Sequence, residues 1–479
     1  MDNNALLTKS KFQFQSSTTP LVDYSKIISA LSNVSIQYNI GVVGIALLLM
    51  DNDDTHNTVT PAYPRSAAED SALRSAIFAG AITGQACMGY LGDVIGKGNA
   101  MIVTCIFTFI GAVLSASATW GDADQLYTIL IGARFVMGIG VGGKYPLAST
   151  LRGDSTVEGE HRSTEVAKGF FWQTPGTILP YLVALGLLAW FGEDAVGMQH
   201  KDVASFEFRF LFGFGAVPSA IVILLTYLHV SARKHLEPET ATATGLKISP
   251  LQAIKRDPTI MKKLVGTGLC WCLYDIVYYG SSVNQPKIVN KVFGASETII
   301  ENCYHNIILN AMGLPAVMLA IYYLERLGEK ATQAYGFLSI FAGCLLLSAF
   351  LLWFPNDTPN DNNANFACLS VLIFTLNWGC NVGTYVLPVE IFPKEISATM
   401  FGLSAAAGKL GALAGAAAFD PLQEAYGMSF VYFVCGILSL GGVWITYELI
   451  EPFREKTWGK GRKQEDEDRE EKEGLNNFA

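Results

Sequence analysis

Three residues at helical spacing carry the first sign of chemistry: Trp271, Asp275 and Tyr279. Positions i, i+4 and i+8 fall in a row along one face of an α-helix. An aromatic stripe at this spacing is by itself ordinary packing. The acid in its middle changes that reading, because an ionisable group at membrane depth is costly and marks a functional path. A second charge, Lys144, follows the apolar, glycine-dense run Gly138, Gly140, Gly142 and Gly143. A lysine so placed costs a few kcal/mol unless paired or hydrated. Three roles fit it: direct binding of an anion, pairing with Asp275 across a cavity, or a neutral amine. Hydroxyls, amides and a fixed cation are the donors that a tetrahedral oxyanion takes. The sequence offers no metal cluster, nucleophile triad or cofactor loop. The glycine run is no dinucleotide fingerprint, since it lies inside an apolar helix and follows no strand. An enzyme is therefore not expected, and neither a metal nor a cofactor is.

Membrane helices must position these groups. Of 479 residues, 51% are hydrophobic and only 16% charged, with mean hydropathy +0.32, against about 25% charged in soluble domains. Too few charges exist to cover the two or three soluble domains that such a length would form. Apolar residues come in blocks of about 20, the length that spans the hydrocarbon. About twelve blocks are centred near Gly41, Ile82, Phe109, Val136, Leu182, Val222, Leu273, Leu314, Leu345, Leu376, Ala412 and Leu440. The fold class is an all-α membrane protein of two six-helix halves. The expected layout is a cytoplasmic N-terminal segment (1–30), a first half (31–231), a central loop (232–261), a second half (262–450) and a disordered tail (451–479). The nine cysteines read as small core residues, and the net charge of −9 belongs to loops and tail. It implies no nucleic-acid partner. No cleavable signal peptide is read at the N-terminus.

Most of the 33 Lys and Arg fall on one side if both termini are cytoplasmic, which sets the expected orientation. Arg134, Lys144 and Lys409 lie within spans. The halves echo each other: Gly92-Asp93-Val94-Ile95-Gly96-Lys97 after the second span answers Leu324-Glu325-Arg326-Leu327-Gly328-Glu329-Lys330 after the eighth. Two such repeats, with a site between them at the midplane, are a common carrier architecture.

Four stretches resemble the major facilitator superfamily, and within it the proton-coupled phosphate transporters of plants and fungi. They are Gly84-Gln85 through Gly96-Lys97; Arg134 through Leu147, followed by Gln173; Trp271 through Tyr279; and Asn377 through Lys409. The first is specific to the superfamily only, and the other three to the branch. The resemblance implies the major facilitator fold and a phosphate pocket lined by Tyr145, Gln173, Trp271, Asp275, Tyr279 and Asn381. The sequence also departs from the branch. Lys144 stands where the branch motif G-G-D-Y-P-L has its acid, and Ser35-Ile36-Gln37-Tyr38-Asn39 stands where the branch has T-D-x-Y-D. Asp275 is the acid that remains, and so the candidate proton carrier. Lys144 is expected in the site beside the six implied residues.

Asp93, Lys97, Arg152 and Arg162, with Glu325, Arg326 and Glu390 in the second half, are candidates for a cytoplasmic gate; positive-inside topology alone would also account for them. Lys409 resembles a residue of the branch and is read as packing. The expected function is secondary transport of inorganic phosphate or a related oxyanion by alternating access at the plasma membrane. Its partners are the anion, a coupling proton or other cation, and the lipid bilayer. A same-fold carrier of another solute and a non-transporting receptor are the rivals.

Overall fold

A computed structural model describes residues 24–51, 63–118, 123–157, 160–191, 201–236, 249–293, 298–354 and 359–450. The amino-terminal half holds α1 (Ser25–Asp51), α2 (Ala67–Ile95), α3 (Lys97–Ala116) and α4 (Ala123–Asp154), then the pair α5 (Arg162–Phe170) and α6 (Gln173–Trp190) and the pair α7 (Lys201–Phe214) and α8 (Ala216–Leu236). A short helix, α9 (Pro250–Arg256), leads to the second half. That half holds α10 (Thr259–Ser282), α11 (Gln285–Phe293), the pair α12 (Ile299–Ala311) and α13 (Gly313–Leu327), and α14 (Glu329–Trp353). It ends with the pair α15 (Pro359–Asn377) and α16 (Cys380–Ile391), then α17 (Ser397–Tyr426) and α18 (Met428–Leu449). All twelve expected centres fall inside helices. Helix α1 begins within the expected N-terminal segment, and α9 occupies part of the expected central loop. The expected disordered tail, 451–479, lies outside the described residues.

Nine helical stretches among the described residues are long and apolar enough to cross a bilayer unaided. The expected spans outside that set are α2, α6 and α10. They carry polar side chains that face the interior: Asp70 and Gln85, Gln173, and Asp275, all buried. Large apolar side chains point outward instead, with Met318 61% and Trp444 67% exposed. Polar groups inside and apolar ones outside is the arrangement that lipid demands. The chain is a multi-pass integral membrane protein.

Close packing fixes the frame. Helix α2 packs on α4 within its half and on α17 across the halves, while α5 meets α16, α6 meets α12 and α1 meets α11. At the α2–α4 contact a Cβ on Gly142 would lie 2.6 Å from the Ala81 Cα. Only small residues allow this approach. The echoed turns are structurally equivalent as well. Gly96 (φ 89°) joins α2 to α3 and Gly328 (φ 82°) joins α13 to α14, a backbone region where other residues are strained. The face bearing these two turns, the one expected to be cytoplasmic, is called inner below and the opposite face outer.

Candidate functional site

Where the halves meet, a cavity of only about 10 Å³ is lined by side chains from both. That is room for no more than about one water. Tyr145 and Gln173 come from the first half; Trp271, Asp275, Tyr279 and Asn381 come from the second. Tyr274, Tyr278, Thr384 and Phe170 complete the wall with Lys409. The Lys409 Nζ donates to Asp275 Oδ2 at 2.7 Å, and both side chains are buried. The same ammonium lies 4.2 Å from the centroid of the Tyr279 ring and 4.8 Å from that of Tyr145. Tyr145 and Tyr279 share a hydroxyl hydrogen bond of 2.9 Å across the interface. Gln37 of α1 donates to Gln173 Oε1 at 3.0 Å, while Gln173 Nε2 is buried without a hydrogen-bond partner. Trp271 packs edge-on to Tyr145, Tyr385 and Phe401. A Cβ on Gly408 would meet the Trp271 ring at 2.6 Å, so glycine there makes room for the indole. Asn381 stands in the first turn of α16, just past the break at Trp378 and Gly379, and donates to Asn377.

Lys144 is not part of this lining. Its Nζ donates to Ser35 Oγ of α1 at 2.7 Å and to Ser219 Oγ of α8 at 2.9 Å. The reason is helical geometry: residue 144 sits about 100° round α4 from Tyr145, so when the phenol faces the cavity the lysine faces its own half. Pairing of Lys144 with Asp275 is thereby corrected, since Lys409 holds that carboxylate, and so is its direct placement on the anion. Arg134, also fully buried, donates to the carbonyls of Leu73 and Asn39 at 3.2 and 3.3 Å. Lys409 is the residue that sequence reasoning assigned to packing. Its signal was available: a cation in an apolar helix calls for a partner. As an expected outcome, Lys144→Met changes the KM for substrate anion by less than about threefold, measured by uptake into vesicles, because the amine makes no cavity contact.

The inner face is closed by hydrogen bonds between the halves. Asp93 Oδ2 accepts from the Thr399 backbone N–H at 2.8 Å and from its hydroxyl at 2.5 Å. Arg162 donates to the Val389 carbonyl at 2.8 Å and also reaches Asp154. Ser163 donates to Glu329 at 2.7 Å. Lys97 pairs with Asp154, and Arg152 with Glu165 at 2.7 Å. Burial by itself would raise the Glu165 carboxyl, but the hydrogen bond from Lys168 and the charge of Arg152 hold it below its ordinary range. Arg326 corrects the expectation for the second half: it is exposed and lies 4.1 Å over the Tyr322 ring of its own helix. Glu325 is exposed, and Glu390 is half-buried beside Val389. Glu329, one turn beyond, makes the cross-half bond instead.

Sequence reading gave no charged link between the halves on the outer face, and one is present. Lys287 of α11 bridges Asp70 of α2 and Asp420 of α17, at 2.7 Å each. Arg74 donates to the Val283 carbonyl at 2.6 Å, and to Asp70 at 2.9 Å. Arg65 holds Asp70 at 2.7 Å and Asp51 at 2.5 Å. Asp70 lies in the first turn of α2, outside its apolar stretch. Burial alone would raise its carboxyl, but Arg74, Lys287 and Arg65 hold it well below the usual carboxylate range. A lowered value means the stabilisation is present at neutral pH and lost only in strong acid. Protonation near neutral pH therefore does not break these ion pairs. With links across both faces of the described residues, the cavity between the halves is enclosed. Lys287→Met leaves Asp70 its two arginines and keeps the Arg74–Val283 bond but cuts the ion pair between halves, and is expected to raise amide exchange in residues 283–293 about tenfold, read by exchange mass spectrometry.

Comparison with known proteins agrees with this architecture. A family described as the Major Facilitator Superfamily matches residues 29–416. The inorganic phosphate transporter PT2 of Toxoplasma gondii is 33% identical over 430 residues, covering 89% of this chain and 72% of its own. The low affinity inorganic phosphate transporter 1 of Petunia hybrida is 26% identical, covering 73% of each chain. A repressible high-affinity phosphate permease of Neurospora crassa is 26% identical, covering 74% of this chain and 70% of its own. Among solved structures, a partially occluded inward-open form of the xylose transporter XylE from E. coli superposes with TM-score 0.68. It covers 90% of this chain and 98% of its own at 17% identity, a likeness of fold. Two echoed helical halves, a cavity between them and these relatives establish that the chain belongs to the major facilitator superfamily, in its inorganic phosphate transporter branch, and is not an enzyme.

Proposed function

We propose that this protein carries inorganic phosphate, coupled to protons, across the plasma membrane by alternating access, with both termini in the cytoplasm. The observation that carries the reading is the buried Lys409–Asp275 pair, next to the unpartnered amide nitrogen of Gln173, in a cavity enclosed between the halves. The site is too small for phosphate as it stands, so binding requires the halves to part. When the outer links of Lys287 and Arg74 release, the anion reaches Lys409. The ammonium then serves the phosphate, with Gln173, Asn381 and the hydroxyls of Tyr145 and Tyr279 as further donors. Asp275 is left as a buried carboxylate without its cation, a state that costs about 3–5 kcal/mol. Taking up a proton removes that cost, which ties proton entry to anion entry at one pair of side chains. Closure of the outer face and opening at Asp93, Arg162 and Ser163 deliver both to the inner side.

The experiment is labelled phosphate flux in reconstituted vesicles with proton and sodium gradients imposed separately. A proton gradient should drive accumulation, and Asp275→Asn should leave exchange while abolishing proton-driven accumulation. Accumulation by Asp275→Asn equal to that of the native chain refutes the proton assignment. Flux of a neutral polyol in preference to phosphate refutes the substrate.

A further inference from the structure

Far from the central cavity, a lateral groove of about 630 Å³ opens toward the bilayer between the outer end of α3 and the junction of α7 and α8. Its floor is made by two small residues, since a Cβ on Gly213 would lie only 3.1 Å from that of Ala116. One wall is a ladder of rings at i, i+4 and i+8. Phe206 and Phe210 stack at 5.9 Å, and Phe210 and Phe214 lie 6.2 Å apart. Phe206 is 50% and Val217 47% exposed, so the groove faces lipid.

One residue in that wall does not suit a hydrocarbon surface. Arg209 lines the groove, its Nε is buried without a hydrogen-bond partner among the described residues, and its guanidinium lies over the Phe208 ring, at 5.5 Å. Among the described residues it pairs with no carboxylate. Glu207, about 200° round the helix, is fully buried inside the protein. A bare guanidinium beside acyl chains is costly and calls for an anion or for the interface. Side chains on a helix lean toward its N-terminus, which for α7 is the outer end. That lean carries the Arg209 head toward headgroup level, as in a snorkelling side chain, beside Phe206 and above Phe210 and Phe214.

We infer that this groove binds an anionic phospholipid of the outer leaflet, its phosphodiester on Arg209 and one acyl chain along Phe206, Phe210 and Phe214. Charge complementarity and apolar shape meet at one place, a guanidinium that calls for an anion beside a trough that fits an acyl chain. The purified full-length protein is titrated with phosphatidylglycerol or phosphatidylcholine in mixed micelles, and bound lipid is counted by native mass spectrometry. The native chain should prefer phosphatidylglycerol about tenfold. Arg209→Gln should abolish the preference and Arg209→Lys should keep most of it. Val217→Trp, which narrows the trough and leaves the charge, should weaken both lipids. Excess inorganic phosphate should displace neither. Equal binding of the two lipids by the native chain, an unchanged preference in Arg209→Gln, or displacement by inorganic phosphate overturns the inference.

Discussion

Lys409→Met is expected to reduce phosphate uptake about a hundredfold or more, the largest functional loss from any single change in the cavity. The ammonium is the one cation in the described lining, and it holds Asp275 at 2.7 Å. Its removal takes away the charge that would receive the anion. It also leaves Asp275 buried beside Tyr274, Tyr278 and Tyr279 with no counter-charge. Two measurements separate these effects. Uptake into vesicles should fall for Lys409→Met and also for the double variant Lys409→Met/Asp275→Asn. Thermal unfolding should show the single variant destabilised and the double variant largely restored, because exchanging both partners leaves no unpaired charge. Uptake in the single variant within about threefold of the native chain would remove Lys409 from the substrate site.

The second large effect is on folding. Gly142→Leu should destabilise the protein by about 3 kcal/mol or more and leave little monodisperse material after extraction. The new side chain would push into Ala81 backbone on the facing helix, with its Cβ already within 2.6 Å of the Ala81 Cα. Backbone in a helix cannot step aside as a flexible side chain can. Gly132→Ala is the matched control on the same helix, since nothing lies within 4 Å of a Cβ there. Its elution profile and unfolding midpoint should match the native protein. Equal behaviour of the two variants would mean that the α2–α4 contact does not depend on glycine.

Some of the site could be read directly from residue order. Trp271, Asp275 and Tyr279 share one helix face by the period of the helix alone, and all three line the cavity. The repeated turns at Gly96 and Gly328 showed as an echo in sequence and proved to have the same backbone geometry. Lys144 was legible as a buried cation but not in its direction. One residue's difference in azimuth sends Tyr145 to the cavity and Lys144 to Ser35 and Ser219. Asp70, Lys287 and Asp420 read as unremarked charges near helix ends. Nothing local to any of them indicates that they meet.

The sequence by itself determined the membrane spans, the two halves, the inward-facing acid and the family signatures, because each depends on composition or spacing within a few turns of chain. Only the tertiary structure decided that Lys409 and not Lys144 pairs with Asp275, that Asp70, Arg74 and Lys287 link the halves at the outer face, and that Glu329 makes a cross-half bond near Arg326. Lys409 and Asp275 are 134 residues apart. Whether two such groups meet depends on how each helix is rotated and how deep it sits against its neighbour. Glycine contacts and whole interfaces set those quantities, and no short stretch of residues encodes them.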